Sequence, residues 1–261
     1  RSLCQSAAAI GAGGFDEVET AFSLREPESL RQSMNAMVRQ LRHADEVQRD
    51  FFQNVSHELR NPLMSIYGYA QGIEQGVFPD SKQAAHTILE ESDRLTGLVG
   101  SLLTLSRIES GQHAPELAPL CVGECMEDCL DRAAGAALQK NIRLCYTAPE
   151  KRLFVLGNEE LFAQVAENLL SNAIRYAHAT VEVACTEDAD AIRITVADDG
   201  DGIDEKDLPR IFERCYKGKG GHFGIGLAIA RSAAEQMQGT LSAMNRESSG
   251  ACFTWTLSKL D

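Results

Sequence analysis

Apolar residues recur at alternating intervals of four and three along the first third of the chain. With the polar Gln48 as one interruption, the seam consists of Leu30, Met34, Met37, Leu41, Ala44, Phe51 and Val55. This heptad rhythm is typical of a helix whose apolar seam packs against other helices. A lone amphipathic helix on a globular core is the alternative, and the unbroken rhythm favours helices that pair.

Helix-forming sequence continues to about residue 105. Pro62 lacks the amide that would bond the Glu58 carbonyl, and its ring crowds that turn, so we expect a kink there. Residues 76–80 are typical of a turn between helices, and a second helix is expected over residues 81–110. Two antiparallel helices expose much apolar surface, which dimerisation into a four-helix bundle would cover.

The periodicity changes after residues 111–115, which contain Gly and Pro. From there, alternation of apolar and polar residues predicts strands, and helical periodicity predicts the helices between them. The strands are expected near 142–147, 152–156, 180–186, 191–197, 240–246 and 251–258, and the helices near 122–139, 159–177 and 226–237. The predicted fold class is α + α/β, a helical hairpin followed by a layered α/β domain.

Composition narrows the classes of partner. The 261 residues carry a formal net charge of −13, which argues against nucleic acid because phosphate binding needs clustered Lys and Arg. No run approaches the roughly 18 consecutive apolar residues of a membrane span, and no signal peptide is expected. Because the chain begins at Arg1 rather than Met, we expect it to be a fragment of a longer protein.

Three of the eight cysteines, Cys121, Cys125 and Cys129, recur every four residues. This spacing predicts one helical face, on which the thiols pack as small apolar groups rather than hold a metal. Free cysteines of this kind indicate a reduced, cytosolic compartment.

Asparagine side chains mark the predicted helix at 159–177. Asn168 and Asn172 share a face with Arg175, apart from the buried stripe. Two amide oxygens one turn apart suit a hard cation such as Mg²⁺ completed by phosphates and water. Taken alone, two helical asparagines are more often a solvated surface.

Two glycine-containing segments follow. An acidic turn at 198–204 ends the strand at 191–197, and its glycines let the backbone approach a ligand while Asp198 can accept a hydrogen bond from an exocyclic amine. An ordinary Asp-Gly turn is the alternative, and an EF-hand calcium loop is disfavoured. The second segment, 217–226, precedes a helix whose free amides attract phosphate, which predicts a lid over a triphosphate.

In their order and spacing, these segments resemble the bacterial sensor histidine kinases of two-component signalling over roughly residues 45–258. The segments that resemble the H, N, G1, F and G2 boxes of that family are, in turn, 56–63, 168–176, 198–202, 211–216 and 224–227. The chain departs from the family at Asp199, Cys215 and Phe223, where Asn, Phe and a small residue are common.

The resemblance implies that the α/β domain has the Hsp90-like ATPase fold and binds ATP with Mg²⁺. Asn168 and Asn172 would hold the metal, Tyr176 would flank adenine, and Asp198 would accept from the adenine amino group. The remaining cofactor-binding residues that it implies are Arg175, Arg214 and Lys217 near the phosphates, and Gly200, Gly202, Gly224 and Gly226 in the loops.

The resemblance also implies that His57 attacks the γ-phosphorus of ATP while Glu58 accepts the other ring proton. The phosphoryl group would pass to an aspartate in the receiver domain of a response regulator. Asn61, one helical turn from His57, stands at the position implicated in placing water for regulator dephosphorylation, so we expect a kinase that is also a phosphatase.

The expected organisation has three parts. Residues 1–43 are similar to part of a HAMP signalling module with a coiled coil, 44–112 form the dimerisation and phosphotransfer hairpin, and 113–261 form the catalytic ATP-binding domain. The expected assembly is a homodimer. The chain would be the cytoplasmic fragment of a protein held in the bacterial membrane by an absent N-terminal sensor region.

Two other classes remain open on the sequence. One is a nucleotide-dependent ATPase or serine kinase that uses the same pocket without a histidine acceptor, which leaves His57 and its hairpin unexplained. The other is a signalling scaffold with an inactive pocket, against which the full set of asparagines, Asp198 and glycines argues.

Overall fold

The computed structural model describes residues 25–110, 116–188, 190–216 and 224–260, with only the backbone of 25–27 and 109–110. The predictions for residues 1–24 and for the lid at 217–223, including Lys217 and Phe223, lie outside these ranges. The chain divides into two units, residues 1–61 and 62–261. Within the described ranges, no helix combines the length and apolar content that crossing a membrane requires.

Helix α1, Arg25–Glu74, runs through Pro62 without a break in its helical assignment. In its first half the buried side chains are Asn35 and Val38, one position beyond two of the predicted seam residues. The seam residues Leu30, Met37 and Leu41 are exposed instead. An apolar stripe on a charged helix is the kind of surface that a second helix covers.

The predicted turn and second helix are confirmed. Gly76 has φ 65°, a left-handed conformation that favours glycine, and the Val77 amide donates to the Gly72 carbonyl at 2.9 Å, which closes α1. Asp80 Oδ1 accepts from the Lys82 amide at 2.9 Å and caps helix α2, Ser81–Ser110.

The second unit contains an α/β sandwich. The strands are β1 Ala118–Cys121, β2 Arg143–Thr147, β3 Phe154–Gly157, β4 Thr180–Asp188, β5 Ala191–Asp198, β6 Thr240–Asn245 and β7 Ala251–Ser258. Five of them form a sheet of the order β2-β4-β5-β7-β6, with β2 and β4 parallel and the other neighbours antiparallel. The helices that cover it are α3 Val122–Gln139, α4 Glu159–Tyr176 and α5 Gly226–Gln236.

Alternation along the strands directs one face of the sheet to the helices. The register places Ile194 opposite Trp255 and Val196 opposite Phe253, and all four side chains are buried. Phe162 of α4 packs on Trp255 with the ring centroids 4.8 Å apart. Burial of each such large side chain stabilises the fold by about 1.5–3 kcal/mol, so α4 is firmly fixed on the sheet.

Two predictions need correction. The short pair β1 and β3 forms a separate antiparallel ribbon, and β1 was not expected, because its four residues contain Pro119 and show no alternation. Cys121 does not lie on a helical face with Cys125 and Cys129, because it ends β1 and occupies the N-cap position of α3. Cys129 is fully buried, which agrees with the prediction that its thiol packs as a small apolar group.

Candidate nucleotide-binding site

A cavity of about 570 Å³ opens beside α4 in the second unit. It brings together eight of the predicted ligand residues, namely Asn168, Asn172, Arg175 and Tyr176 of α4, Asp198 at the end of β5, Gly202 in the loop that follows, Gly224, and Gly226 at the start of α5. Helix α2 adds Gly97 and Ser101 to its wall. The size and the few convergent polar groups are those of a small-molecule site.

Asp198 is the buried acid of this cavity, with 2% of its surface exposed. Its Oδ1 accepts from the Gly200 amide at 2.9 Å and from the Ala251 amide at 3.3 Å. Its Oδ2 forms no hydrogen bond with the other described residues. Burial raises the pKa of the carboxyl group above its ordinary value, against the opposing effect of the two amides. One carboxylate oxygen is thus fixed, and the other is left to accept from a ligand.

Asp199, which stands where Asn is common in the family, stabilises the loop after β5 through hydrogen bonds. Its carboxylate accepts from the amides of His178 at 2.8 Å, Ala179 at 3.1 Å and Thr180 at 3.0 Å. These amides, chiefly that of Ala179, lower the pKa of the Asp199 carboxyl group. The residue ties the turn between α4 and β4 to the loop after β5, which holds the Tyr176 end of α4 beside Asp198.

Glycines permit two close approaches at the cavity. A Cβ at Gly200 would lie 2.2 Å from the Tyr176 carbonyl oxygen. A Cβ at Gly226 would lie 2.7 Å from Asn168 Oδ1. Real Cβ atoms do not approach so closely, so the loop at Gly200 needs glycine to reach the backbone of α4, whereas a Cβ at Gly226 would displace the Asn168 side chain.

The orientation of Asn168 suits a metal ligand. Its Nδ2 donates to the Gln164 carbonyl at 2.6 Å, which turns Oδ1 toward the loop at Gly226. Asn172 lies one turn on and also lines the cavity. A pair of neutral amide oxygens fits Mg²⁺, which keeps water and phosphate as most of its ligands.

Asn245 was missed by sequence reasoning. Its Oδ1 accepts from the Ile203 amide at 2.8 Å, and its Nδ2 donates to the Ile203 carbonyl at 2.7 Å. Ser249 Oγ donates to the Gly200 carbonyl at 2.6 Å from the turn between β6 and β7. The loop that carries Asp198 is therefore braced from a hairpin more than forty residues later, and no local motif marks these residues.

The F-box segment is anchored by Tyr216. Its hydroxyl donates to Asp207 Oδ1 at 2.6 Å, and the Arg210 guanidinium lies over its ring, 4.5 Å from the centroid. The hydrogen bond to Asp207 raises the pKa of the Tyr216 phenol. Cys215 is buried with φ 58°, and Arg214 is exposed and does not line the cavity.

The candidate phosphoacceptor lies in the other unit, on α1. His57 and Asn61 are exposed, and Glu58 is half-buried. The neighbouring Ser56 hydroxyl donates to the Phe52 carbonyl at 2.8 Å, so this hydroxyl group is hydrogen-bonded to the backbone of its own helix. His57 thus presents an accessible imidazole on a regular helix.

Both halves of the chain match known families. Residues 47–111 match the family described as the His Kinase A (phospho-acceptor) domain. Residues 157–261 match the family described as histidine kinase-, DNA gyrase B- and HSP90-like ATPase. His57 falls within the first match, and the residues that line the α4 cavity from Asn168 onward fall within the second.

Curated relatives match nearly the whole chain. The heme sensor protein HssS of Staphylococcus saprophyticus is 30% identical over 253 residues, which is 95% of this chain and 55% of that protein. The signal transduction histidine-protein kinase BaeS of Escherichia coli is 28% identical over 258 residues, 94% of this chain and 54% of BaeS. The chain spans about half the length of these two relatives.

Solved structures agree on the fold. The Acinetobacter baumannii histidine kinase AdeS is 26% identical with a TM-score of 0.63, over 78% of this chain and 98% of that one. Histidine kinase ThkA, solved in complex with the response regulator protein TrrA, has a TM-score of 0.71 at 21% identity, over 84% of this chain and 64% of ThkA. The chain belongs to the bacterial sensor histidine kinases of two-component systems.

Proposed function

We propose that this chain is a protein histidine kinase that transfers the γ-phosphoryl group of ATP to His57 and then to an aspartate of a response-regulator receiver domain. The observation that carries the proposal is the cavity beside α4, where buried Asp198 and two asparagines converge in a chain that also presents an exposed His57. The family descriptions, a phospho-acceptor domain and an ATPase, support the same pairing.

The nucleotide roles follow from the chemistry of the lining. Asp198 Oδ2 accepts from the adenine amino group, and the ring of Tyr176 flanks the base. Asn168 and Asn172 hold Mg²⁺, which neutralises phosphate charge when bound. Gly200, Gly202, Gly224 and Gly226 let the loop backbones approach the ligand. Arg175, which lines the cavity, contacts the phosphates. We assign the same role to Arg214 and to Lys217, the second of which lies outside the described residues.

The acceptor chemistry lies with two neighbouring side chains. His57 attacks phosphorus through an unprotonated ring nitrogen, a form that histidine populates near neutral pH. The imidazole gains positive charge as the P–N bond forms and the bond to the leaving ADP oxygen breaks. Glu58 accepts the proton on the other ring nitrogen and stabilises that charge. Positioning and charge neutralisation supply most of the remaining rate enhancement.

The same helix also carries a residue for the opposing activity, the dephosphorylation of the regulator. Asn61 lies one turn beyond His57 and positions water for attack on the phosphoaspartate of the regulator. Its exposure on α1 leaves it accessible to a docked receiver domain. The kinase is thus also a phosphatase.

The assembly is a homodimer. The exposed apolar residues of α1, among them Leu30, Met37 and Leu63, supply the surface for a four-helix bundle. The domain boundaries are 1–43 for a HAMP-like segment, 44–112 for the phosphotransfer hairpin and 113–261 for the catalytic domain. The whole protein is anchored in the bacterial membrane by a preceding sensor region, and this part lies in the cytoplasm.

The test is labelling of the purified chain with γ-labelled ATP and Mg²⁺, beside His57→Gln. The matched control is His86→Gln, because His86 is also an exposed histidine on a helix of the hairpin. We expect acid-labile label in the wild type and in the His86 variant, and no label in the His57 variant. Label that survives acid, or that persists in His57→Gln, contradicts the proposal.

A further inference from the structure

A second cavity, of about 530 Å³, lies between α3 and α4. Its floor consists of small or apolar side chains, among them Ala133, Ala136 and Ile174. Residues 133–137 of α3 read Ala-Ala-Gly-Ala-Ala, so this helix offers no large side chain to fill the space. The volume is in the range that binds small organic molecules.

The rim of this cavity is cationic, although the chain carries a net charge of −13. Arg132, Lys140 and Arg175 line it, against one carboxylate, that of Glu167. Glu167 is already paired, because Arg132 Nε donates to its Oε1 at 2.7 Å. Lys140 and Arg175 form no ion pair with the other described residues. Two cations at an apolar groove are the complement of an organic anion.

The floor adds no opposing charge. Cys129 lies under the rim and accepts from Arg132 Nη2 at 3.1 Å through its sulfur. Burial raises the pKa of this thiol to about 11, so it stays protonated near neutral pH. The electrostatic preference of the cavity is therefore set by the side chains of its rim.

The two cavities share part of a wall. Ser171 and Arg175 of α4 line both the groove and the candidate nucleotide cavity. One guanidinium cannot pair fully with anions on both sides of the helix. An anion in the groove would therefore compete with the nucleotide phosphates for Arg175, and by linkage the nucleotide would weaken anion binding equally.

We propose that the groove binds a small amphipathic organic anion, with its apolar part on the alanine floor and its anionic group between Lys140 and Arg175, and that this ligand weakens nucleotide binding. The coupling rests on the proposed function of the neighbouring cavity. The binding itself does not.

The probe is naphthalene-1-carboxylate, titrated by calorimetry into the full chain without nucleotide, with the neutral naphthalene-1-carboxamide as charge control. Both Ala136 and Ala134 are exposed positions of α3, and only Ala136 lines the groove, so Ala136→Phe fills it whereas Ala134→Phe places the same bulk outside the lining. We expect carboxylate binding in the wild type and Ala134→Phe and none in Ala136→Phe. Lys140→Gln should weaken binding by about 1.4-fold to fivefold, which is the contribution of one exposed charge pair.

Carboxylate binding that survives Ala136→Phe, or carboxamide binding of equal affinity, overturns the groove as an anion site. If the wild type does not bind the carboxylate, the groove is likewise not an anion site. With the site established, saturating naphthalene-1-carboxylate should raise the Kd of AMPPNP, and AMPPNP should raise the Kd of the carboxylate by the same factor. If the Kd of each ligand is the same with and without the other ligand, the proposed coupling is wrong. A chain that binds the carboxylate but no AMPPNP instead contradicts the proposed nucleotide site.

Discussion

Asp198→Asn should separate nucleotide binding from stability. The asparagine keeps an Oδ1 that accepts from the amides of Gly200 and Ala251, so the loop conformation survives. It replaces Oδ2, the oxygen assigned to the adenine amino group, with an NH₂ donor. Donor then faces donor inside a cavity where Asp198 is 2% exposed.

The binding loss can be estimated from the hydrogen bond removed. A hydrogen bond to a charged group contributes about 1.5–3 kcal/mol, which corresponds to about 10-fold to 150-fold in Kd. The unsatisfied donors left behind add to this loss. We expect AMPPNP binding by calorimetry to weaken by at least that factor.

The stability effect has the opposite sign. Burial raises the pKa of the Asp198 carboxyl group, so the folded state holds the proton more tightly than the unfolded state. Stability is then lost as pH rises through the window from the ordinary to the raised pKa, and a neutral amide avoids that loss. Asp198→Asn should melt at or above the wild-type temperature at pH 7.

Asp198→Ala is the matched control. It leaves the Gly200 and Ala251 amides without their acceptor, which costs about 1–3 kcal/mol for each buried group, so this variant should melt lower. The reasoning is refuted if Asp198→Asn binds AMPPNP within about threefold of the wild type, less than the smallest loss expected for one hydrogen bond, or if it melts as low as the alanine variant.

Three further outcomes are expected. Gly200→Ala should lose nucleotide binding and about 1–3 kcal/mol of stability by overpacking, because its Cβ meets the Tyr176 carbonyl oxygen at 2.2 Å; wild-type melting and affinity would contradict this. Burial raises the pKa of the Cys185 thiol from 9.0 to about 11, so this thiol lowers the unfolding free energy by up to about 3 kcal/mol as pH rises between these values. The fall measured by urea titration should be smaller by that share in Cys185→Ala than in the wild type, and equal falls would count against it. Asn61→Ala should keep autophosphorylation and slow dephosphorylation of the regulator, and unchanged dephosphorylation in a phosphate-release assay would remove Asn61 from that role.

Periodicity predicted most helices and strands well, because the spacing of the buried apolar residues in each element follows the period of a helix or a strand. Val122–Gln139 has the predicted bounds, since its apolar spacing is helical. β1 escaped prediction because a four-residue ribbon with Pro119 depends on its pairing with β3. The seam of α1 was predicted to be an interface, and among the described residues Leu30, Met37 and Leu41 of that seam are exposed, where a second copy of the chain could cover them.

The candidate site was predictable where single residues carry the chemistry. Asp198, Asn168 and Asn172 were weak signals taken singly, and their order and spacing along the chain singled them out through the family resemblance; the structure places them around one cavity. Asn245 could not be found in this way, because its bonds to Ile203 span 42 residues and form only when the sheet is complete. Asp199 looked like a departure, and its backbone partners explain why a carboxylate serves there.

The measurement that tests the central claim most directly is the location of the phosphoryl group by mass spectrometry at neutral pH after incubation with ATP and Mg²⁺. The account predicts one phosphoryl group per chain on the imidazole of His57. The adjacent Ser56 hydroxyl, which donates to the Phe52 carbonyl at 2.8 Å, should remain unmodified. Phosphate on Ser56, or on any residue other than His57, would contradict the account.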